Sequence, residues 1–415
     1  MHKWAILSRI FIILFGLVQS AESATPKMQH DHHAATSPGI CEQTDAEPSL
    51  KCARAPSAVF DNDGKLWLAW AFGEHVYVNY SYNRGETYST PVKVNQIAED
   101  IYAMGENRPK IIVADNGHIY ISWTQKLPAR FSGHIRFSHS VDGGKSFSDP
   151  VIVNDHRAVT SHRFEAMALN EHGDIYLTWL DKRDLLAAKK AKQHYNGAAL
   201  YYAVSTDGGV TFNRNEKIID NTCECCRVAM AIDNDQLPVV LWRHIFGDNV
   251  RDHAMVKFTD RNQAGKVVRV SHDQWQIEAC PHHGPDISIA EDGRYHLVWF
   301  NNAPQRHGLF YAGTADQGKT FSTPMNFGNY KAQAAHPQVL STNKAIHLLW
   351  KEFDGKQAGL ITMKSTDSGK TWSTPRVIAK TTTASDHPLL IAEGDKVYGV
   401  WHRLGEHYQL FPLED

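Results

Sequence analysis

A chain of 415 residues with 42% hydrophobic content is long enough for two or three ordinary domains and for an ample core. Its 43 basic and 45 acidic side chains nearly cancel, leaving a formal charge of −2 and a pI near 6.9, so no global field draws it to nucleic acid or to an anionic membrane. The one marked bias is toward histidine, with 24 residues.

The chain opens with MHKWAILSRIFIILFGLVQSAESA. A basic start, an apolar stretch from Ile10 to Val18 and small residues from Ser20 to Ala24 follow the order of a secretory signal peptide over residues 1–23, which predicts a periplasmic or secreted protein. No cysteine follows the apolar stretch, as a lipoprotein would need, and no later segment is long enough to span a bilayer. Residues 24–51 contain TPKMQHDHHAATSPG from Thr25, too polar and small to pack, and read as a flexible His-rich segment. Met28, His30, His32 and His33 there could capture copper or zinc, or could be a solvated tail.

From residue 52 to residue 415 one design repeats. Trp70, Trp123, Trp179, Trp242, Trp299, Trp350 and Trp401, spaced 51 to 63 residues apart, each end a segment such as RPKIIVADNGHIYISW or GPDISIAEDGRYHLVW. A run of about six residues, a turn rich in Asp, Asn and Gly, and an alternating second run make a β-hairpin. A repeat of this length is that of a four-stranded propeller blade, so these residues read as one all-β domain. The only long insertion, residues 181–198, reads as a partly helical surface loop.

A second signature follows most hairpins: SVDGGKSF from Ser140, STDGGVTF from Ser205, TADQGKTF from Thr314 and STDSGKTW from Ser365, with a weaker copy, SYNRGETY, from Ser81. Its Asp and Ser suit side-chain bonds to turn amides, its Gly a positive φ, and its aromatic a plug between blades. These repeats resemble those of the sialidase-like proteins with BNR or Asp-box repeats, over nearly all of residues 52–412. The resemblance implies a sialidase-like β-propeller. Seven hairpins favour seven four-stranded blades; the six-bladed ring of known sialidases is the alternative. The last repeat has room for only one further strand, so ring closure is expected to borrow a strand from residues 40–52. Asp-box propellers include glycosidases, sugar-binding proteins and receptors, so the fold does not choose the function.

Residues at the starts of the inner strands, and those just after each Trp, should converge on one face, with the Asp boxes on the other. The strand starts carry Arg54, Arg108, Arg163 with Glu165, Cys226 with Arg227, His282 with His283, His336, and Asp386 with His387. The post-Trp loops add Arg243, Arg251 and Arg306. This pattern predicts a cationic funnel, in which Arg108, Arg163, Arg243, Arg306, His336 and His387 would bind an anionic ligand.

The segments TCECCRVAMA and WQIEACPHHGPD place Cys223, Cys225 and Cys226 beside the fourth inner strand, and Cys280, His282 and His283 beside the fifth. Four thiols and two imidazoles in one neighbourhood suit zinc or copper(I), with Cys226 and Cys280 expected to share one His. A second reading is structural, with Cys41–Cys52 as one disulfide and Cys280 and the CECC run forming two more, and a third is redox-active thiols. The CxCCR and CPxxGP segments look like those of a subset of exported Asp-box proteins.

Similarity to sialidases also implies three clamp arginines, a nucleophilic Tyr with a Glu, and an acid/base Asp. Arg54 resembles the first clamp arginine, Arg227, Arg251 and Arg306 are candidates for the others, and Glu165 is a plausible carboxylate; the Asp and late Tyr motifs do not line up. Two functions of different class follow. One is a propeller, expected to be monomeric, that holds copper or zinc, a small anion or a glycan at its mouth; the other is a glycoside hydrolase acting on an acidic glycan through Arg54, Glu165, Arg227 and Arg251.

Overall fold

The computed structural model describes residues 41, 47–406 and 408–413. The signal-peptide-like start and Met28, His30, His32 and His33 lie outside the described residues.

Seven antiparallel sheets follow one another along the chain. Their inner strands are Arg54–Phe60, Lys110–Val113, His162–Leu169, Ala229–Ile232, Asp286–Ile289, Ala335–Ser341 and Leu389–Glu393, and each pairs with the Trp-bearing strand that follows it. Each inner strand packs against the inner strands of both neighbouring sheets, and the seventh meets the first, so the ring is closed. The protein is a seven-bladed all-β propeller, and the six-bladed alternative is set aside.

The seven tryptophans repeat because each fills the same space inside a blade. All are fully buried, and burying an indole leaves its N–H needing a partner. Trp179 donates to Asp181 at 2.9 Å, Trp299 to Asp273 at 2.8 Å, Trp350 to Glu352 at 2.8 Å, and Trp401 to the Asp386 carbonyl at 2.9 Å.

The Asp boxes are turns between third and fourth strands, which antiparallel order puts on the face opposite the inner-strand starts. In the first, Ser140 Oγ donates to Asp142 and accepts the Gly144 amide, while Asp142 accepts the amide and hydroxyl of Ser146. Asp207, Asp316 and Asp367 repeat the pattern with Thr211, Thr320 and Thr371. The weak copy also works, because the Asn83 carbonyl oxygen replaces the carboxylate, accepting from Ser81 and the Thr87 amide.

Of residues 40–52, the expected source of the closing strand, 40 and 42–46 lie outside the described residues. Among the described residues the last sheet has three strands, and Leu50–Cys52 form a 3₁₀ turn rather than a strand. Leu50 and Ala53 instead pack with Tyr398, Val400 and Tyr408, and His402 Nε2 donates to the Leu50 carbonyl at 3.0 Å. Apolar burial and a side-chain bond thus hold residues 50–53 against the last blade.

The 181–198 insertion carries a surface helix, Arg183–Lys190, with Ala188 on its buried side. No helix among the described residues is long and apolar enough to cross a membrane.

Candidate metal centre

Irregular backbone prepares the mouth of the propeller. Bulges interrupt the inner strands of blades 1, 3 and 6 between Arg54 and Ser57, Arg163 and Ala166, and Ala335 and Gln338. Within them Ala55, Phe164 and His336 take φ of +46°, +62° and +54°, conformations that cost energy for any side chain and that re-aim a strand where it meets a site.

Cys223, Cys225 and Cys226 occupy the loop that enters the inner strand of blade 4, buried against Phe164, Leu180 and Ala198 of blade 3 and Trp242 of blade 4. All three sulfurs lie within 4.8 Å of one another, with Cys223 and Cys226 at 3.8 Å. Cys225 also lies within 4.8 Å of Cys280 Sγ and of a ring nitrogen of His282, which come from the loop before blade 5. Four free thiols and one imidazole therefore form two triads with Cys225 in common, while Cys41 and Cys52 are disulfide-bonded. Cys280, expected beside Cys226, is grouped instead with Cys225 and His282.

The surroundings favour thiolate at Cys223 and Cys280, and the neutral thiol at Cys225 and, through burial, at Cys226. Hydrogen bonds from Cys225 and Cys226 hold the Cys223 thiol well below its ordinary range, against burial and helped by Arg243 and Arg251. A bond from Cys225 lowers Cys280 as well, and the donor Cys225 is held protonated in turn. Arg251 Nη1 lies 3.4 Å from Cys223 Sγ. Thiolates beside guanidinium groups are the form that binds a metal.

The remaining arginines do not form an open cationic funnel. Arg243, fully buried, spends its guanidinium on the carbonyls of Arg251, His283 and Phe300. Arg108 bonds the carbonyls of Gly105, Pro56 and His387 and pairs with Asp386 at 3.2 Å. Arg163 bonds Ser161 and lies over the rings of Tyr102, Phe131 and Phe164, and Arg306 pairs with Asp273 over Phe310. Blade ends expose unpaired carbonyls at the mouth, and guanidinium groups satisfy several at once. The hydrolase set is likewise dispersed: Arg54 bonds the Gly73 carbonyl, Arg227 meets Glu106, Arg251 bonds Asn249 and Cys223, and Glu165 accepts from Thr124 with Lys110 3.8 Å away.

The sequence reading missed Glu106. It sits in a turn that blade 2 inserts between the short strand Ile101–Tyr102 and its inner strand, and it is buried. Oε2 accepts the amides of Arg227 at 3.1 Å and Gly284 at 2.8 Å. Oε1 faces Arg227 Nη1 at 3.2 Å, His336 Nδ1 at 3.2 Å and His387 Nδ1 at 3.3 Å. Burial opposes its charge, but Arg227 and the two imidazoles outweigh that and hold the carboxyl well below its usual range. Residues 105 and 284 must be glycine, since a Cβ would sit 2.2 Å from His387 Nδ1 and 2.1 Å from Arg227 Cγ respectively.

His336 stacks on His387 with ring centroids 3.4 Å apart, and His283 stacks on His336 at 4.7 Å and on Phe300 at 4.1 Å. His282 and His283, expected to act together, are thus divided between the thiols and this stack. Below the stack the central channel holds a cavity of about 270 Å³ lined by Glu106, Lys110, Arg227 and Asp286. The signal that could have found Glu106 was the GEN turn just ahead of the second strand start, one acidic residue outside the register in which strand starts were compared.

No family model and no curated protein matches the chain. Among solved structures, it is similar to the polysaccharide lyase Uly1, with 9% identity, TM-score 0.55 and 94% of each chain covered. A PL25 ulvan lyase has 10% identity and TM-score 0.53, covering 87% of this chain and 93% of that one. The Hadza microbial sialidase Hz136 has 14% identity and TM-score 0.50, covering 84% of this chain and 76% of that one. At these identities the likeness establishes the fold, a sialidase-like β-propeller, and leaves the function to the site.

Proposed function

We propose that this protein is an exported propeller that holds a soft metal ion, copper(I) or zinc(II), through Cys223, Cys225, Cys226, Cys280 and His282. One observation carries the reading: four cysteine sulfurs outside any disulfide and an imidazole, from loops more than 50 residues apart, pack into two triads that share Cys225. The donor set fits. Metal–sulfur bonds of about 2.3 Å at tetrahedral angles put neighbouring sulfurs about 3.8 Å apart, and Cys223 and Cys226 stand at 3.8 Å. Thiolate and imidazole together favour copper(I) and zinc over hard ions. In an oxidising compartment, contacting thiols form bridges unless a bound ion occupies their lone pairs.

A glycan-cleaving reading would need guanidinium groups free to meet a carboxylate, and Arg54, Arg227 and Arg251 are already engaged at separate partners.

Thiol titration of the protein as isolated tests the proposal. Few thiols should react at first, and all four after an anaerobic chelator treatment. Thiols that appear only after a reductant would mean disulfides, and would overturn it.

A further inference from the structure

We propose that Glu106, His336 and His387, with His283 stacked beside them, form a second and harder metal site that takes a divalent ion such as zinc(II) or copper(II) in preference to copper(I). The site stands on its own geometry and does not require the thiol site to be occupied.

The donors come from four different blades. Glu106 belongs to blade 2, His283 to the entry of blade 5, His336 to blade 6 and His387 to blade 7. Nothing in a repeat fold calls for such a meeting, since apolar side chains would fill the same space without desolvating polar groups. His336 is moreover held at φ +54° within a bulge, a conformation kept only where its surroundings impose it.

Ligand spacing matches a metal site. Nitrogen and oxygen ligands bonded at about 2.0–2.1 Å with tetrahedral angles stand about 3.3–3.4 Å apart. Glu106 Oε1 lies 3.2 Å from His336 Nδ1 and 3.3 Å from His387 Nδ1, and all three atoms fall within 4.8 Å of one another.

The protonation states also suit. Burial pushes both imidazoles below their ordinary value, toward the neutral form that ligates, while Glu106 stays ionised. Both rings are largely enclosed, 14% and 21% exposed. The amides of Arg227 and Gly284 fix Oε2 and so orient Oε1, the anchoring that metal-bound carboxylates commonly have. Binding at Nδ1 would move the proton that a neutral imidazole donates to Oε1 onto Nε2 of the same ring, with no net proton released. Arg227 Nη1, also on Oε1, shares the carboxylate charge, so the affinity should be moderate.

Carboxylate and imidazole without sulfur select a divalent ion, whereas the thiols select the soft one. Adjacent residues link the two, His282 facing the thiols and His283 the stack.

Anaerobic cobalt(II) titration of the reduced full chain separates the sites, because only thiolate ligands give a sulfur-to-cobalt charge-transfer band. We expect two equivalents, one with that band and one with ligand-field bands alone. The second should vanish in His336→Gln/His387→Gln while the first persists, which also shows that the variant folds. In a Cys223, Cys225, Cys226 and Cys280 to Ser variant, only the sulfur-free equivalent should remain. Copper(I) should then displace cobalt from the thiols and not from the imidazoles. Loss of the charge-transfer equivalent alone would count against the thiol reading. The second site is overturned if no sulfur-free equivalent binds, if it survives the double His substitution, or if copper(I) displaces both equally.

Discussion

The two faces of the propeller use polar side chains in opposite ways. On the Asp-box face the box carboxylates bond locally: Asp142, Asp207, Asp316 and Asp367 reach only from i−2 to i+4, stay exposed or half-buried, and look alike from blade to blade. At the mouth Glu106 bonds Arg227, Gly284 and His336, and Arg108 bonds the His387 carbonyl, contacts spanning 121, 178, 230 and 279 residues. No two blades are alike there. Repetition marks what each blade needs to fold, and departure from it marks where the ring as a whole has been put to use.

Acid should separate the enclosed groups from the box face most strongly, because several groups act together. Burial pushes His134, His244, His296 and His347 from 6.5 down to about 4, so below pH 6.5 the unfolded chain takes up protons that the folded one refuses. Stability should be whole above pH 6.5 and fall between 6.5 and 4. Burial works against the charge of Asp207, but its bonds to Thr211 prevail, and bonds to Thr320 and Thr371 lower Asp316 and Asp367; all three sit at about 2 against 3.8 unfolded. Their contribution should be lost only from pH 3.8 toward 2. Denaturant midpoints across this range, in the metal-free protein, would show both stages, and a flat profile above pH 4 would break the contrast.

Removing the carboxylate that ties blade 2 to four others should come next. Glu106→Ala leaves Arg227 buried without its counter-charge, and the expected loss is about 3–5 kcal/mol in equilibrium unfolding. Cys225→Ser removes the sulfur common to both triads, and copper(I) affinity in a competition assay should fall at least about a hundredfold, beyond what a supporting residue costs. Asp142→Ala should lose about 1–2 kcal/mol of stability, as turn hydrogen bonds disappear, and leave copper affinity unchanged. If Asp142→Ala weakened copper binding, the separation of the faces would be wrong.

What the sequence made legible follows the same division. Tryptophans, hairpins and boxes could be read because each is encoded within one repeat, and even the Asn83 copy declared itself through its Ser and Gly. The Cys223–Cys226 and Cys280–His283 segments could be read as neighbours because adjacent strand starts must meet. The arginines could not, since their partners are backbone carbonyls such as those of Pro56, Pro285 and Phe300, which leave no mark in a sequence. Glu106 was hidden because its partners lie in blades 4 to 7. The split of His282 from His283 depends on backbone angles, with His282 at φ +52°, that no pattern of residue types conveys.

X-ray absorption at the copper edge, on protein loaded with one equivalent of copper(I) under reducing conditions, tests the central claim most directly. A first shell dominated by sulfur in the native protein, with fewer sulfurs in Cys225→Ser, is the result expected. A shell of nitrogen and oxygen alone, unchanged by that substitution, would contradict it.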